Sequence, residues 1–258
     1  MTCLLQSLKA SSRSTQSCIY TVSYTHLDVY KRQVLEERDL AVSFRSYCEK
    51  LSLSNIVCAN AMVQIAVNMG LKEEAPKFNK KKFESAVEFA LTQTRNRENF
   101  LSNISQTFLE AGVVLVVLPN LKNSGINGAT KKLGGKILMM VNDRRHYADT
   151  FWFTLFHEIG HVMNGDYGIT FTENKNESED EADIYAQNKL IPQQRYIEFL
   201  RYNEIFTEKN IRDFADSINQ DPGIIFGRLQ NDGKIPFTET ELAGKLRYKY
   251  KIQARGKD

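Results

Sequence analysis

The chain has 258 residues, 42% of them hydrophobic and 25% charged, and a net charge of +3. That length allows one large domain or one domain with helical additions, and the composition is that of a globular protein with ample core material. The small net charge, with basic residues dispersed apart from runs such as Lys80-Lys81-Lys82, gives no footing for a nucleic-acid or anionic-membrane partner.

Residues 1–33 are rich in Ser and Thr and lack sustained periodicity, and Val22 to Gln33 (VSYTHLDVYKRQ) resembles a translated adapter sequence. This segment reads as non-native or disordered and contributes nothing to the fold. Residues 34–97 read as a helical region, with Phe83, Val87, Ala90 and Leu91 at helical spacing. Gly70 and Pro76 predict a loop near 70–79, and hence two or three helices. A further helix over Phe100 to Glu110 stops at Gly112.

The texture then changes. Val113 to Leu118 is β-branched and apolar, bounded by Gly112 and Pro119, and predicts a buried strand. At six residues this longest aliphatic run is far too short to cross a bilayer. Ile126 to Leu133 and Lys136 to Asn142 predict two more strands joined by a Gly134-Gly135 hairpin turn. Thr150 to Asn164 reads as a helix stopped by Gly165, and Glu179 to Leu190 as a second, closed by Ile191-Pro192. Residues 166–178 read as a loop, with an extended stretch at Tyr167 to Phe171. Shorter helices follow near 193–201, 207–218 and 222–231. Ile211 to Gly233 carries few basic residues and reads as a helical hairpin packed on the preceding domain rather than a DNA-reading unit. The expected class is α+β, with a small three-stranded sheet packed on the central helices and helical additions at both ends. The expected units are 34–97, 98–235 and a tail at 236–258.

Cys3, Cys18, Cys48 and Cys58 form no Cys-x-x-Cys pair, which speaks against a cysteine zinc site and a disulfide framework and fits a reducing cytoplasm. The chemistry lies instead in His157-Glu158-Ile159-Gly160-His161. Two histidines four apart on a helix share a face and can reach one ion. The glutamate between them is offset and faces the water that the metal holds. A catalytic zinc site needs a third ligand and an open corner. Eighteen residues on, Glu179 and Asp183 share a helix face. Glu179 is the candidate third ligand, and Asp183 the acceptor for a ligand histidine's remaining ring N–H. Glu181 is a rival ligand, but it projects to another side of the helix. Glu177 and Asp180 read as a solvated helix start.

These residues resemble the ImmA/IrrE family of metallo-endopeptidases, particularly the branch associated with HigA-type antitoxins. The resemblance runs from about Phe100 to Arg228, on AGVVLVVLP, INGAT, VNDRR, FWFTLFHEIGHVMNG, ESEDEADIYAQNKLIP and PGIIFGRLQNDG. It implies His157, His161 and Glu179 as ligands of Zn2+, and Glu158 as catalytic acid/base. It also implies an N-terminal helix-turn-helix domain, which is not recognisable here, so the chain reads as a piece of a two-domain regulator. The implied substrate is a protein, such as a helix-turn-helix repressor. Candidate oxyanion donors are Arg145, His146, Tyr147 and Tyr185. The strand Lys136 to Val141, just before the active-site helix, is a candidate site for a peptide to add as an extra strand. Two readings stand against the enzyme. One is a regulatory or antitoxin-like binding protein with a vestigial metal site, and the other is a structural zinc protein.

Overall fold

The structure, a computed structural model, describes residues 53–122, 124–143, 146–171 and 177–250. The segment 1–33 and Arg145 lie outside these described residues, as does the first part of the 34–97 region. The chain is α+β, as its sequence predicts. The helices before the sheet are α1 (Leu53–Lys72), α2 (Lys80–Thr92) and α3 (Phe100–Glu110). Three strands follow, β1 (Val113–Pro119), β2 (Ile126–Leu133) and β3 (Lys136–Asp143). After α4 (Ala148–Asn164) comes a fourth, short strand, β4 (Gly168–Phe171). The rest is helical: α5 (Glu177–Leu190), α6 (Gln193–Tyr202), α7 (Glu208–Ser217), α8 (Pro222–Asn231) and α9 (Thr240–Leu246).

The sheet order is β1-β3-β2-β4. β2 and β3 form an antiparallel hairpin, Leu133 opposite Lys136, with Gly134 at φ 62 in the turn. That left-handed conformation is open to glycine at little cost. β1 runs parallel to β3, and β4 extends the far edge antiparallel to β2. β3 is therefore central, with both of its edges paired. The expectation that a peptide adds to Lys136 to Val141 is corrected by this pairing, since no backbone edge is left there.

The apolar run of β1 has a simple cause: both of its faces are covered. Val113, Leu115 and Val117, with Ile137, Met139 and Val141 of β3, enter the larger core against α2–α4 and α6–α8. Val114, Val116 and Leu118, with Leu138 and Met140, enter a smaller core with Met62, Val63 and Ala66 of α1. Within α1, Ser54–Lys72 is long and apolar enough by length and composition to cross a membrane, yet half of it is buried here against protein. Gly70 does not break this helix as expected. It lets the helix close on the sheet, because a Cβ there would stand 3.0 Å from Leu138 and 3.2 Å from Leu133 side-chain carbons.

Helix α4 crosses the larger core. Trp152, Leu155, Phe156 and Ile159 are fully buried, each contributing about 1.5–3 kcal/mol by burial. Phe100, Phe151, Trp152 and Tyr250 interlock with ring centroids 5.3–5.6 Å apart. The start of α4 is held by the C-terminal strap: Ala148 N–H donates to Tyr248 O, Tyr250 N–H donates to His146 O, and Arg247 pairs with buried Asp149 at 2.8 Å. Helices α7 and α8 form the expected hairpin, capped by Thr207 and Asp221, with Phe214, Ile224 and Phe226 in the same core.

Candidate metal centre

The face of α4 turned towards α5 carries His157 and His161, and α5 brings Glu179 opposite them. All three are buried, at 6%, 0% and 4% exposure. Close approach of the helices is permitted by Gly160, where a Cβ would stand 3.2 Å from the Ala182 Cα and 3.3 Å from the Tyr185 ring. The His157 and His161 Nε2 atoms are 3.0 Å apart. Glu179 lies 3.1 Å from the first and 3.6 Å from the second through its two oxygens.

Both imidazoles are oriented from behind. His157 Nδ1–H donates to Asp183 Oδ1 at 2.7 Å, as the spacing of Glu179 and Asp183 predicts. His161 Nδ1–H donates to Asp166 Oδ2 at 3.2 Å. Asp166 was not anticipated. It is brought there by the end of α4: Gly165 adopts φ 74, its N–H bonds to Val162 O, and Asp166 N–H bonds back to His161 O. This paired helix-closing turn needs a residue that tolerates left-handed φ. Ser178 Oγ donates a short hydrogen bond to the same carboxylate oxygen.

With both Nδ1 atoms donating to carboxylates, both Nε2 atoms are acceptors, and they meet a third acceptor in Glu179. Three electron-rich atoms converging inside a protein repel one another unless a cation or a shared proton lies between them. Their separations match a tetrahedral ion with bonds of about 2.0–2.1 Å, which sets ligand atoms roughly 3.3 Å apart. The donor atoms of His157, His161 and Glu179 all lie within 4.8 Å of one another and can hold a metal ion. Burial pulls the His157 pKa down, but hydrogen bonds to Asp183 and Glu179 outweigh it and raise the value to about 9. For Glu179, burial works upward, but the bonds and charges of the two histidines prevail and hold it near 2.

Glu158 is fully buried between the histidines, turned towards β2. A second unanticipated residue, Gly128 in β2, makes room for it. A Cβ at position 128 would fall 2.6 Å from Glu158 Cδ and 2.7 Å from Cγ. Any side chain there displaces the carboxylate. Glu181 is exposed and hydrogen-bonded by Asn164 at 3.3 Å, away from the cluster.

Of the candidate oxyanion donors, Arg145 lies outside the described residues, and each of the other three has its own surroundings. His146, at φ 57 and largely exposed, pairs through Nδ1 with buried Asp143 at 2.8 Å. Tyr147 precedes α4 and lies under the Arg247 guanidinium, 4.0 Å from the ring centroid. These two residues precede His157 by ten or more positions, about 15 Å along the helix axis. Tyr185 packs beside Gly160 on another side of α5 from Glu179. Burial, then the charges of Glu88 and Glu84, raise its phenol to about 12.

No curated protein matches the chain. A family model does: residues 113–215 match the IrrE N-terminal-like domain of peptidase family M78. The matched stretch runs from β1 into α7 and contains the entire His157–His161–Glu179 cluster together with Glu158, Asp166 and Asp183. Over residues 113–215 the chain thus carries the domain that marks the ImmA/IrrE family of metallopeptidases.

Proposed function

We propose that the protein is a zinc-dependent endopeptidase that cleaves a regulatory protein, such as a helix-turn-helix repressor. The observation that carries this reading is the convergence of two oriented imidazoles and one carboxylate around a point of tetrahedral dimensions. Two nitrogens and one oxygen form a donor set suited to zinc, and three protein ligands leave a fourth corner for water or substrate. When bound, the ion supplies Lewis acidity: it lowers the pKa of a water towards about 7 and polarises the peptide carbonyl.

The chain's own residues do the rest. Glu158 accepts the proton of the attacking water and passes it to the leaving nitrogen. Gly128 keeps the space that this carboxylate occupies. Asp183 and Asp166 fix the tautomers and planes of the two histidines. With β3 and β2 both enclosed, the free sheet edge on this side is β4, and an extended peptide adding there would lie one strand away from the strand that carries Gly128.

The test is incubation of zinc-loaded protein with helix-turn-helix repressors from the same genome, followed by mass spectrometry. The wild type should produce a defined cut, and Glu158→Gln should bind zinc and leave the partner intact. A tight complex with no cut by either form would instead identify a regulatory binding protein with a vestigial metal site.

A further inference from the structure

His157 and His161 are held from behind by carboxylates of different origin. Asp183 lies on α5, the same helix as Glu179, so one rigid element supplies both the neighbouring ligand and the acceptor for His157. Asp166 lies in the turn after α4, outside any helix. Its main chain is anchored twice. Its N–H donates to His161 O at 2.9 Å, and its carbonyl accepts from Thr130 Oγ1 of β2 at 3.4 Å. Those two bonds fix the backbone and leave the side-chain torsions to be fixed by something else. With 35% of its side chain exposed, the carboxylate is close enough to solvent to exchange a ring N–H for water.

Ser178 removes that freedom. It stands in the first turn of α5, directly before Glu179. Its Oγ–H donates to Asp166 Oδ2, the same oxygen that accepts from His161 Nδ1–H. Two consecutive residues of α5 therefore grip His161 from its two ring nitrogens. Glu179 approaches Nε2 at 3.6 Å, and Ser178 reaches Nδ1 through Asp166. The bond from His161 to Asp166 is also the longer of the two that orient the imidazoles, 3.2 Å against 2.7 Å for His157 and Asp183. The longer bond gains most from a third group that fixes its acceptor.

We propose that Ser178 is a positioning residue of the metal centre, holding the Asp166 carboxylate so that His161 presents Nε2 to the ion. This rests on the zinc site of the peptidase reading and adds a residue to it. The hydroxyl acts through Asp166 alone, as a third link behind the ligand: Ser178 to Asp166 to His161.

The test is a double-mutant cycle on the full-length chain. It is read by zinc competition with a chelating dye and by the visible spectrum of the cobalt-substituted protein. Ser178→Ala should weaken zinc binding about 3–10-fold, less than loss of the carboxylate contact itself, and should shift the cobalt bands. Ser178→Thr keeps the hydroxyl and should restore both. In an Asp166→Ala background, Ser178→Ala should change zinc affinity by less than about twofold, because the group it acts on is gone. A lowered melting temperature of the metal-free protein, with zinc affinity and cobalt bands unmoved, would reduce Ser178 to a structural contact and overturn the assignment. Equal losses of affinity in the two backgrounds would overturn it as well. These readouts need no substrate. Zinc binding that follows the expected pattern, in a wild type that cuts no peptide, would overturn the peptidase reading and leave Ser178 its role. Peptide cleavage by a wild type whose zinc affinity is indifferent to Ser178→Ala would do the reverse.

Discussion

The two halves of α4 are buried in opposite ways. From Ala148 to Phe156 the helix presents Phe151, Trp152, Leu155 and Phe156 to an aromatic core. From His157 to Asn164 it buries His157, Glu158 and His161 equally deeply. The first half gains stability from apolar area, without needing anything beyond close packing. In the second, only Ile159 and Val162 add buried apolar area, and the buried ionisable groups lose hydration on entering the interior. This half is kept folded by carboxylates that hold the imidazoles and by whatever positive charge sits between the three ligands. One continuous helix thus joins a rigid anchor to a site whose order depends on its occupant. Substitutions should divide along the same line.

The largest effect is expected at the chemical end. Glu158→Gln should lower peptide turnover by about 10²–10⁴-fold, with zinc stoichiometry and melting temperature unchanged. Gly128→Ala should do so more mildly, about 10–100-fold, by pushing the same carboxylate aside, and a crystal structure of that variant should show Glu158 moved. At the anchor end, Trp152→Ala should cost about 3–5 kcal/mol in denaturant unfolding, while the surviving folded protein still takes up one zinc. Asp166→Asn sharpens the contrast, because it touches a ligand histidine without being a ligand. Zinc affinity should fall about 10–100-fold by competition with a chelating dye.

The smallest effect concerns a buried carboxylate that is structural. Burial raises Asp221 to about 6, against its hydrogen bond from the Gly223 N–H and the charge of Arg97. The folded state therefore holds this proton more tightly than the unfolded chain, where the value is about 3.9. The contribution is fully present below about pH 4 and is lost as pH climbs through 6. Asp221→Asn keeps the cap on α8 and removes the titration. It should flatten the fall in stability between pH 4 and 6 and add about 1–2 kcal/mol at pH 8. A steeper pH dependence in the variant would contradict the assignment.

Much of this was legible in the sequence because its signals are local. The hairpin followed from the Gly134-Gly135 turn between two strand-like runs, and the end of α4 from Gly165. The gathering of His157, His161, Glu179 and Asp183 followed from spacing along two helices, since helical geometry fixes which residues share a face. What escaped depended on contacts between distant segments. The central place of β3 is set by pairing with β1 across an intervening strand, and a buried run reads alike at the centre or the edge. Gly70 and Gly128 are small because another element approaches, and glycine gives the same signal in a turn. Asp166 sat in a stretch read as loop, although a Gly-Asp pair at a helix stop, five residues beyond a ligand histidine, was a usable sign. His146 and Tyr147 were near the motif in sequence, yet the rise of α4 carries them away from it.

X-ray absorption on the zinc-loaded protein tests the metal centre most directly. The account predicts one zinc per chain, bound by two imidazoles and two oxygens at about 2.0–2.1 Å, with one oxygen lost or exchanged in Glu179→Ala. A spectrum unchanged by that substitution, or a six-oxygen shell with no imidazole scattering, would contradict it.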